Sequence, residues 1–276
     1  MTQKRKSSKE KLSDSVTSKY FRLSSESKTD EDNERKTKND DSKDEREEHQ
    51  AEKAIVKSNP KCLDTYFFAK SCQELAKSLL GQIFVKIDNG KRLSGRIVET
   101  EAYIGGEDKA SHSCGNKQTN RNKAMFMAPG TVYVYNIYGM YCCINISSKG
   151  EGAAVLIRGI QPIDGIEQLR SNRIASGKSA TPSKKPLKDK DLCNGPSKLC
   201  QSFKVNKSNG DQQNLTDCDY MWLEKGDDVP NSDIVTCSRI GVNNPEFGDW
   251  STKALRYYIV GNACVSVRDK TAEANM

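Results

Sequence analysis

The sequence is poor in metal-binding patterns and in long apolar runs. It contains only two histidines, His49 and His112, and none of its ten cysteines forms a C-x-x-C pair. A zinc site would need four thiols to converge without local pairing, so the spacing of the cysteines argues against both a metal site and disulfides. No apolar run reaches the length of a membrane span and no signal peptide is present, so we expect reduced cysteines in an intracellular protein without a membrane partner.

Large apolar side chains are scarce in one part of the chain. Hydrophobic residues make up 35% of the sequence and the mean hydropathy is −0.76. The deficit is concentrated in residues 1–58, which are dominated by Lys, Glu, Asp and Ser. Such a segment cannot bury enough apolar surface to offset its ordering entropy. We therefore predict a disordered charged tail over residues 1–58 and one folded domain over residues 59–270.

The net charge of +7 is modest and is carried almost entirely by the predicted domain. Residues 1–58 hold 15 Lys and Arg against 14 Asp and Glu. A basic domain is consistent with a polyanionic partner, although this excess alone does not establish one. The lysine-rich start of the tail is a candidate nuclear-import signal, and runs of this kind are also common in solvated tails.

The apolar periodicity of the predicted domain changes repeatedly between that of helices and that of strands. Helical spacing follows Ser71, and two strand-like runs then flank Asp88-Asn89-Gly90, a strong hairpin signal. Further helices are predicted in DGIEQLRSNRIA and NGPSKLCQSF, and further strands in DYMWLEKG, DIVTCSRIGV and ALRYYIVG. The pattern predicts a mixed α+β domain.

The residues between Arg96 and Arg158 combine strand patterns with chemically active side chains. Strand alternation in RIVETEAYI places Val98, Thr100, Ala102 and Ile104 on a core face and Glu99, Glu101 and Tyr103 on the opposite face. Arg158 lies within the apolar run AAVLIRGI, where a guanidinium needs a partner, usually a carboxylate. An adjacent arginine lowers a carboxylate pKa, as suits a general base for water, and a structural ion pair would leave the same pattern.

Aromatic side chains cluster in TVYVYNIYGMYCCINIS. Tyr133 and Tyr135 share one strand face, and Tyr138-Gly139-Met140-Tyr141 predicts a tight turn between two strands. A tyrosine and a methionine at such a tip form an apolar knob, suited either to enter a DNA groove between base steps or to pack under a neighbouring loop.

Polar residues border this cluster on both sides. His112 belongs to the loop KASHSCGNKQTNRNKA, whose basic residues suit phosphate contacts, and is either structural or part of a site. Asn145 is a polar residue in an otherwise apolar return strand, where it can act as a hydrogen-bond gate. Together these residues predict an aromatic pocket that would stack planar bases and hold cationic ones more tightly.

Four segments resemble the eukaryotic type of the alkyladenine (3-methyladenine) DNA glycosylase family. They read GRIVETEAYIGGEDKASHS, NKAMFMAPGTVYVYNIYGMYCCINISS, AAVLIRGIQP and GPSKLCQ, and the likeness runs from about Lys61 to Val267. It implies a single domain around a curved antiparallel sheet, similar to the C-terminal domain of formyltransferases. It also implies a monomeric repair enzyme of the nucleus that uses neither metal nor cofactor and acts on double-stranded DNA containing damaged purines.

The resemblance also implies roles for individual residues. Glu101 matches the general base that activates water, and Arg158 matches an arginine that helps to hold it. Tyr103, His112 and Tyr135 match residues that enclose a flipped base. Asn145 matches a residue that disfavours guanine, and Tyr138, with Met140 beside it, matches an intercalating tyrosine. The expected reaction is hydrolysis of the N-glycosidic bond of 3-methyladenine, 7-methylguanine, ethenoadenine or hypoxanthine.

The chain departs from the family pattern at Cys114, Asn120, Asn136 and Cys264, none of which is an expected catalytic position. Two alternatives remain at this point: a catalytically silent nucleic-acid-binding module that uses the same pocket and Tyr138, and a formyltransferase-like substrate-binding domain. Retention of Glu101 and Arg158 argues against the first, because a pure binder gains nothing from a carboxylate near phosphates. The tail is expected to dock other repair or replication proteins.

Overall fold

A β-hairpin forms where the Asp88-Asn89-Gly90 turn predicts it. In the computed structural model, which describes residues 62–176 and 187–276, strands β1 (Ile83–Asp88) and β2 (Lys91–Tyr103) pair antiparallel. Asn89 and Gly90 adopt φ values of 51° and 71°, the pair of positive angles that a type I′ turn requires. The predicted tail lies outside the described residues.

The remaining strands assemble around this hairpin into one eight-stranded sheet. They are β3 (Val132–Ile137), β4 (Tyr141–Ser147), β5 (Ala154–Asp164), β6 (Met221–Glu224), β7 (Ile234–Cys237) and β8 (Arg256–Ile259). The strand order is β3-β4-β5-β2-β1-β6, β8 pairs with both β2 and β7, and every pairing is antiparallel. Strand β2 is therefore the centre of the sheet.

Short helices accompany the sheet, and all described residues belong to one compact unit. They are α1 (Thr65–Phe68), α2 (Cys72–Ser78), α3 (Ile166–Ala175), α4 (Pro196–Ser202), α5 (Lys207–Gly210) and α6 (Lys270–Ala274). Ser71 and Glu74 cap α2 reciprocally, which satisfies donors at its first turn. The predicted mixed α+β class is confirmed.

The main core lies between the helices and one face of the sheet. It includes Leu75 and Ala76 of α2, Leu199 of α4 and the inward side chains of β2, β4 and β5. The Thr100 hydroxyl donates to the Ala76 carbonyl at 2.8 Å and ties β2 to α2. Because burial of this apolar surface commits one face of the sheet to the core, the opposite face is the one that can carry polar and functional side chains.

The alternation predicted for β2 is wrong at Val98. Irregularities between Ile97 and Thr100 shift the register of β2 against β5. Ile97 and Ala102 face the main core, whereas Val98 belongs to a separate cluster with Val235, Tyr258 and Val265. A β-bulge inserts an extra residue and redirects the side chains beside it, which simple period-two counting cannot anticipate.

The described residues include all ten cysteines of the sequence, and none of them forms a disulfide bond. Most of them are buried, and burial raises the pKa of the Cys72 and Cys143 thiols to about 11. Neutral buried thiols behave as small apolar groups, so they contribute packing here. Over the described residues, no helix is both long and apolar enough to cross a membrane.

Candidate active site

A cavity of about 420 Å³ opens on the face of the sheet away from the main core, beside β2, β3, β4 and β5. Side chains of these strands line it together with two loop segments, residues 109–112 and 240–247. The predicted site residues that line it are Tyr103, His112, Tyr135, Asn145 and Arg158. The tertiary structure thus brings together five residues that span 55 positions of the sequence.

Two tyrosines and a histidine form an aromatic wall in this cavity. The rings of Tyr133 and Tyr135 are stacked, with centroids 5.4 Å apart and an interplanar angle of 29°. The His112 ring meets Tyr135 edge-on at 4.6 Å, and its Nδ1 is hydrogen-bonded to the Tyr133 hydroxyl at 2.9 Å. These contacts hold flat, electron-rich surfaces in fixed positions, which suits a planar ligand.

The His112 ring is neutral at physiological pH. Packing against the tyrosines removes part of its hydration, and the nearby Arg121 cation adds to this effect, so the pKa falls to about 4. A neutral imidazole offers one donor and one acceptor rather than two donors. We therefore expect His112 to position a ligand by hydrogen bonding and not to titrate near neutral pH.

Glu101 lies fully buried behind the cavity, with its carboxylate held on several sides. The Ile240 amide donates to Oε1 at 2.7 Å, and the Tyr103 hydroxyl donates to Oε2 at 2.9 Å. Arg158 Nη1 lies 3.3 Å from Oε1. These contacts bring Glu101 and Arg158 together as the sequence predicts, and they fix the orientation of the carboxylate.

The pKa of Glu101 is raised, opposite to the direction that the arginine alone predicts. Burial is the largest influence and raises the pKa, while Arg158, the Ile240 amide and the Tyr103 hydroxyl lower it and limit the rise. A carboxylate with a raised pKa is a stronger base than an exposed one. Arg158 favours the ionised form that a general base must have, and burial makes that ionised carboxylate a stronger base.

Arg158 connects the cavity to a second buried carboxylate. Its Nη1 faces Glu101, and its Nε lies 3.5 Å from Glu99 Oε1. Burial alone would lower the pKa of Arg158, but Glu101 and Glu99 raise it, so the guanidinium stays charged. The carboxylate partner predicted for this arginine is therefore present, and there are two of them.

Asn145 lines the cavity from β4 and is only 4% exposed. Its Nδ2 donates to the Tyr133 carbonyl at 3.1 Å. Within the described part of the chain, its Oδ1 accepts no hydrogen bond, so this acceptor is available to a ligand. An amide oriented in this way accepts from a donor and rejects an acceptor, which can discriminate between planar ligands.

Tyr138 and Met140 lie outside the cavity, at the tip of the β3–β4 hairpin. Tyr138 is 88% exposed and Met140 is 47% exposed. Tyr138 has a φ of 52° and Gly139 a φ of 72°, so a bulky side chain occupies a region that glycine and asparagine normally fill. Backbone strain of this kind is concentrated at functional positions, and the predicted apolar knob is present.

Several residues that build the site were missed by sequence reasoning. Arg239 donates to Asp108 through both terminal nitrogens, at 2.6 and 2.9 Å, and lies 4.6 Å over the Tyr103 ring. This fully buried pair fastens the loop that carries Ile240. Arg256 binds Glu99 at 2.9 Å. The reasoning applied to Arg158 would have found Arg256, because it too lies in an apolar run.

Across residues 62–176 and 187–276, no group of three or more His, Cys, Asp or Glu side chains is arranged to hold a metal ion. The arrangement described above instead offers a carboxylate base, an arginine and an aromatic wall. These are the groups that hydrolysis of a stacked planar substrate needs.

Comparison with known proteins gives a family match and several similar relatives. The family model described as Methylpurine-DNA glycosylase matches residues 66–263. The DNA-3-methyladenine glycosylase of Homo sapiens is 47% identical over 227 residues, which is 80% of this chain and 74% of the human protein. The Mus musculus protein of the same name is 48% identical over 210 residues, 75% of this chain and 62% of the mouse protein. A probable DNA-3-methyladenine glycosylase of Encephalitozoon cuniculi is 44% identical over 195 residues, 71% of this chain and 88% of that protein.

Proposed function

This chain belongs to the methylpurine-DNA glycosylase family of DNA-repair hydrolases, and on that basis we propose that it excises alkylated or deaminated purines from duplex DNA. The substrates would include 3-methyladenine, 7-methylguanine, ethenoadenine and hypoxanthine. The observation that carries the proposal is a fully buried carboxylate, Glu101, held by Arg158 behind an aromatic cavity.

The cavity would receive the damaged base after it leaves the duplex. A base inside a stacked duplex cannot reach Glu101, so the nucleotide has to be flipped out first. Tyr135 and Tyr103 would enclose the base together with His112. Electron-rich ring faces hold a cationic purine more tightly than a neutral one, which favours N-alkylated bases.

Glu101 would act as general base for the attacking water. It takes a proton from the water as the oxygen attacks the anomeric carbon, and the N-glycosidic electrons leave with the purine. Arg158 would orient that water and stabilise the charged carboxylate. Cationic alkylated purines leave as neutral bases, so this catalysis suffices for them, whereas neutral purines such as hypoxanthine also need a proton.

The hairpin tip and the basic loop would bind the duplex. Tyr138 would fill the space that the flipped base vacates, with Met140 beside it. The loop that leads to β3 carries Lys109, Lys117, Arg121 and Lys123, which suit contacts with phosphates. We propose that the protein uses these residues to bind double-stranded DNA as a monomer in the nucleus.

Release of free base tests this function. Single-turnover reactions would use the full chain and a duplex with one ethenoadenine or one hypoxanthine, with an undamaged duplex as control. We expect release from the lesion duplexes only. A catalytically silent binding module predicts tight lesion binding without release, and that result would overturn the proposed function.

Replacement of Tyr138 by alanine is expected to slow excision about 5- to 150-fold. Stacking of an aromatic side chain on a base is worth about 1–3 kcal/mol, and its loss lowers the population of the flipped state by that factor. Single-turnover rates on the ethenoadenine duplex measure it. Tyr66→Ala is a matched control, because Tyr66 is 83% exposed on α1 and does not line the cavity. Equal rates in the two variants would contradict a role for Tyr138 as the wedge.

The proposed division into a tail, residues 1–58, and a glycosylase domain, residues 59–270, predicts that the tail is dispensable for chemistry. Deleting residues 1–58 is expected to leave the single-turnover excision rate unchanged, because every residue assigned to the site lies between Glu99 and Arg256. The tail would instead dock other repair or replication proteins. A large loss of rate in the truncated chain would show that the tail contributes to the reaction.

A further inference from the structure

A second carboxylate, Glu99, lies behind the site and has no role in the reaction proposed above. It precedes Glu101 by two positions on β2 and is fully buried. The register shifts of β2 against β5 occur on both sides of Glu99. Burying a charge is costly unless it is well paired, so the presence of a second carboxylate beside the first needs a physical reason.

Glu99 is held rigidly by its surroundings. Its Oε1 accepts hydrogen bonds from Arg256 Nη1 and the Ser266 hydroxyl, both at 2.9 Å, and its Oε2 accepts one from the Ser266 amide at 2.7 Å. A Cβ at Gly159, its partner on β5, would lie 3.2 Å from the Glu99 Cβ and 3.3 Å from Oε2. The absence of that side chain lets the Glu99 carboxylate fit against the strand.

The Arg158 guanidinium lies between the carboxylates of Glu99 and Glu101. Its Nε lies 3.5 Å from Glu99 and its Nη1 lies 3.3 Å from Glu101. Its Nε is buried and makes no hydrogen bond within the described residues. The position of the guanidinium therefore depends on electrostatic attraction from both sides. Of the two carboxylates, Glu99 is the one that Arg256 anchors.

We propose that Glu99 is a positioning residue for the hydrolytic reaction: anchored by Arg256 and Ser266, it holds Arg158 beside Glu101. The proposal rests on the proposed function, because Arg158 and Glu101 matter together only if they handle water. In this arrangement Arg256 acts through Glu99, and Glu99 acts through Arg158. A purely structural Glu99–Arg256 pair would stabilise the fold without affecting the chemistry.

The negative charge of Glu99 also affects the pKa of Glu101. Burial is the main reason that the Glu101 pKa is raised, and the negative charge of Glu99 adds to it. Other charged or titratable groups around Glu101 come from the elements packed against it. They are Tyr103 on β2, Tyr135 on β3, Arg158 on β5, Cys237 on β7, Arg256 on β8, and Arg239 in the segment after β7, whose charge Asp108 neutralises. Loss of the Glu99 charge alone would lower the Glu101 pKa.

Replacing Glu99 by glutamine tests the proposal through rate and pH dependence. We expect Glu99→Gln to slow single-turnover release of ethenoadenine about 10- to 100-fold. This is the loss typically seen when a residue that orients a functional side chain from behind is replaced, as measured for the partners of metal ligands. Because the base must be deprotonated, the rate rises with pH through the Glu101 pKa. Arg158 lowers that pKa more than Glu99 raises it, so displacement of Arg158 in this variant should move the acidic limb of the profile to higher pH, whereas loss of the Glu99 charge with Arg158 still in place would move it to lower pH. Glu99→Asp keeps the charge but shortens the reach, and we expect a slower rate with the acidic limb near its original position.

Glu224→Gln is the matched control. Glu224 is a buried carboxylate on β6 that binds Arg92 and Trp222 and does not line the cavity, so this variant should keep the wild-type rate and profile. Each rate is divided by the fraction of folded protein, which circular dichroism measures. A Glu99→Gln variant with wild-type rate and profile overturns the proposal, as does a rate loss explained fully by unfolding. If that variant does not fold, a wild-type rate in Glu99→Asp overturns it. A wild-type protein that releases no base contradicts the proposed function itself.

Discussion

Base release is expected to fall about 10²- to 10⁴-fold when Glu101 is replaced by glutamine, the range that a positioned general base contributes. Glutamine preserves the shape of the side chain: its carbonyl oxygen can still accept from the Ile240 amide, and its NH2 group can donate to the Tyr103 hydroxyl oxygen. It cannot take a proton from water. The Arg158 charge keeps a partner in Glu99, so we expect the variant to fold.

Binding and chemistry should separate in this variant. The aromatic wall and the hairpin tip are unchanged, so the affinity for an ethenoadenine duplex should stay close to that of the wild type. Single-turnover release and equilibrium binding, measured on the same duplex, give the two quantities. Glu224→Gln again serves as the control, because it makes the same chemical change at a buried carboxylate that does not line the cavity and lies on β6, which β1 separates from β2. Excision at the wild-type rate in Glu101→Gln would show that the general base lies elsewhere.

The second large effect is expected on stability, at the buried pair formed by Asp108 and Arg239. Asp108→Asn should lower the free energy of unfolding by about 3–5 kcal/mol, because it leaves the Arg239 charge buried without its counter-ion. Both side chains are fully buried, and the Asp108 carboxylate also accepts from the Ile104 and Ala110 amides. Thermal unfolding should show a midpoint lower by about 6–20 °C for a domain of this size.

The same substitution should also slow excision, because Arg239 precedes Ile240, whose amide holds Glu101. Asp228→Asn is the matched control: Asp228 pairs with Lys225 on the surface, where an ion pair contributes little, and neither midpoint nor rate should change. An unfolding midpoint in Asp108→Asn equal to that of the control would contradict the assigned role of the buried pair.

Features that depend on neighbouring residues were predictable from the sequence. The Asn89-Gly90 turn and the capped helix after Ser71 need only local backbone preferences, and both are present. The pairing of Arg158 with a glutamate was also predictable, because an arginine within an apolar run requires a partner wherever the chain goes. The hairpin tip at Tyr138 was predictable too, because two strand patterns flank a short segment that contains Gly139.

Other features depended on residues far apart in the chain. The Ile240 amide that holds Glu101 lies 139 positions away, Arg239 lies 131 positions from Asp108, and Arg256 lies 157 positions from Glu99. Local patterns carry no information about which of these groups will meet. The bulge in β2 belongs to the same class, because it arises from the register with β5.

The sequence by itself determined which side chains this protein has for its chemistry and which local turns and strands carry them. Tertiary structure alone decided their environment. The direction of the Glu101 pKa illustrates the difference: a neighbouring arginine predicts a lowered value, but closure of the fold over the carboxylate removes water and raises it. Desolvation depends on every element packed around a group, so it becomes defined only when the whole domain has folded.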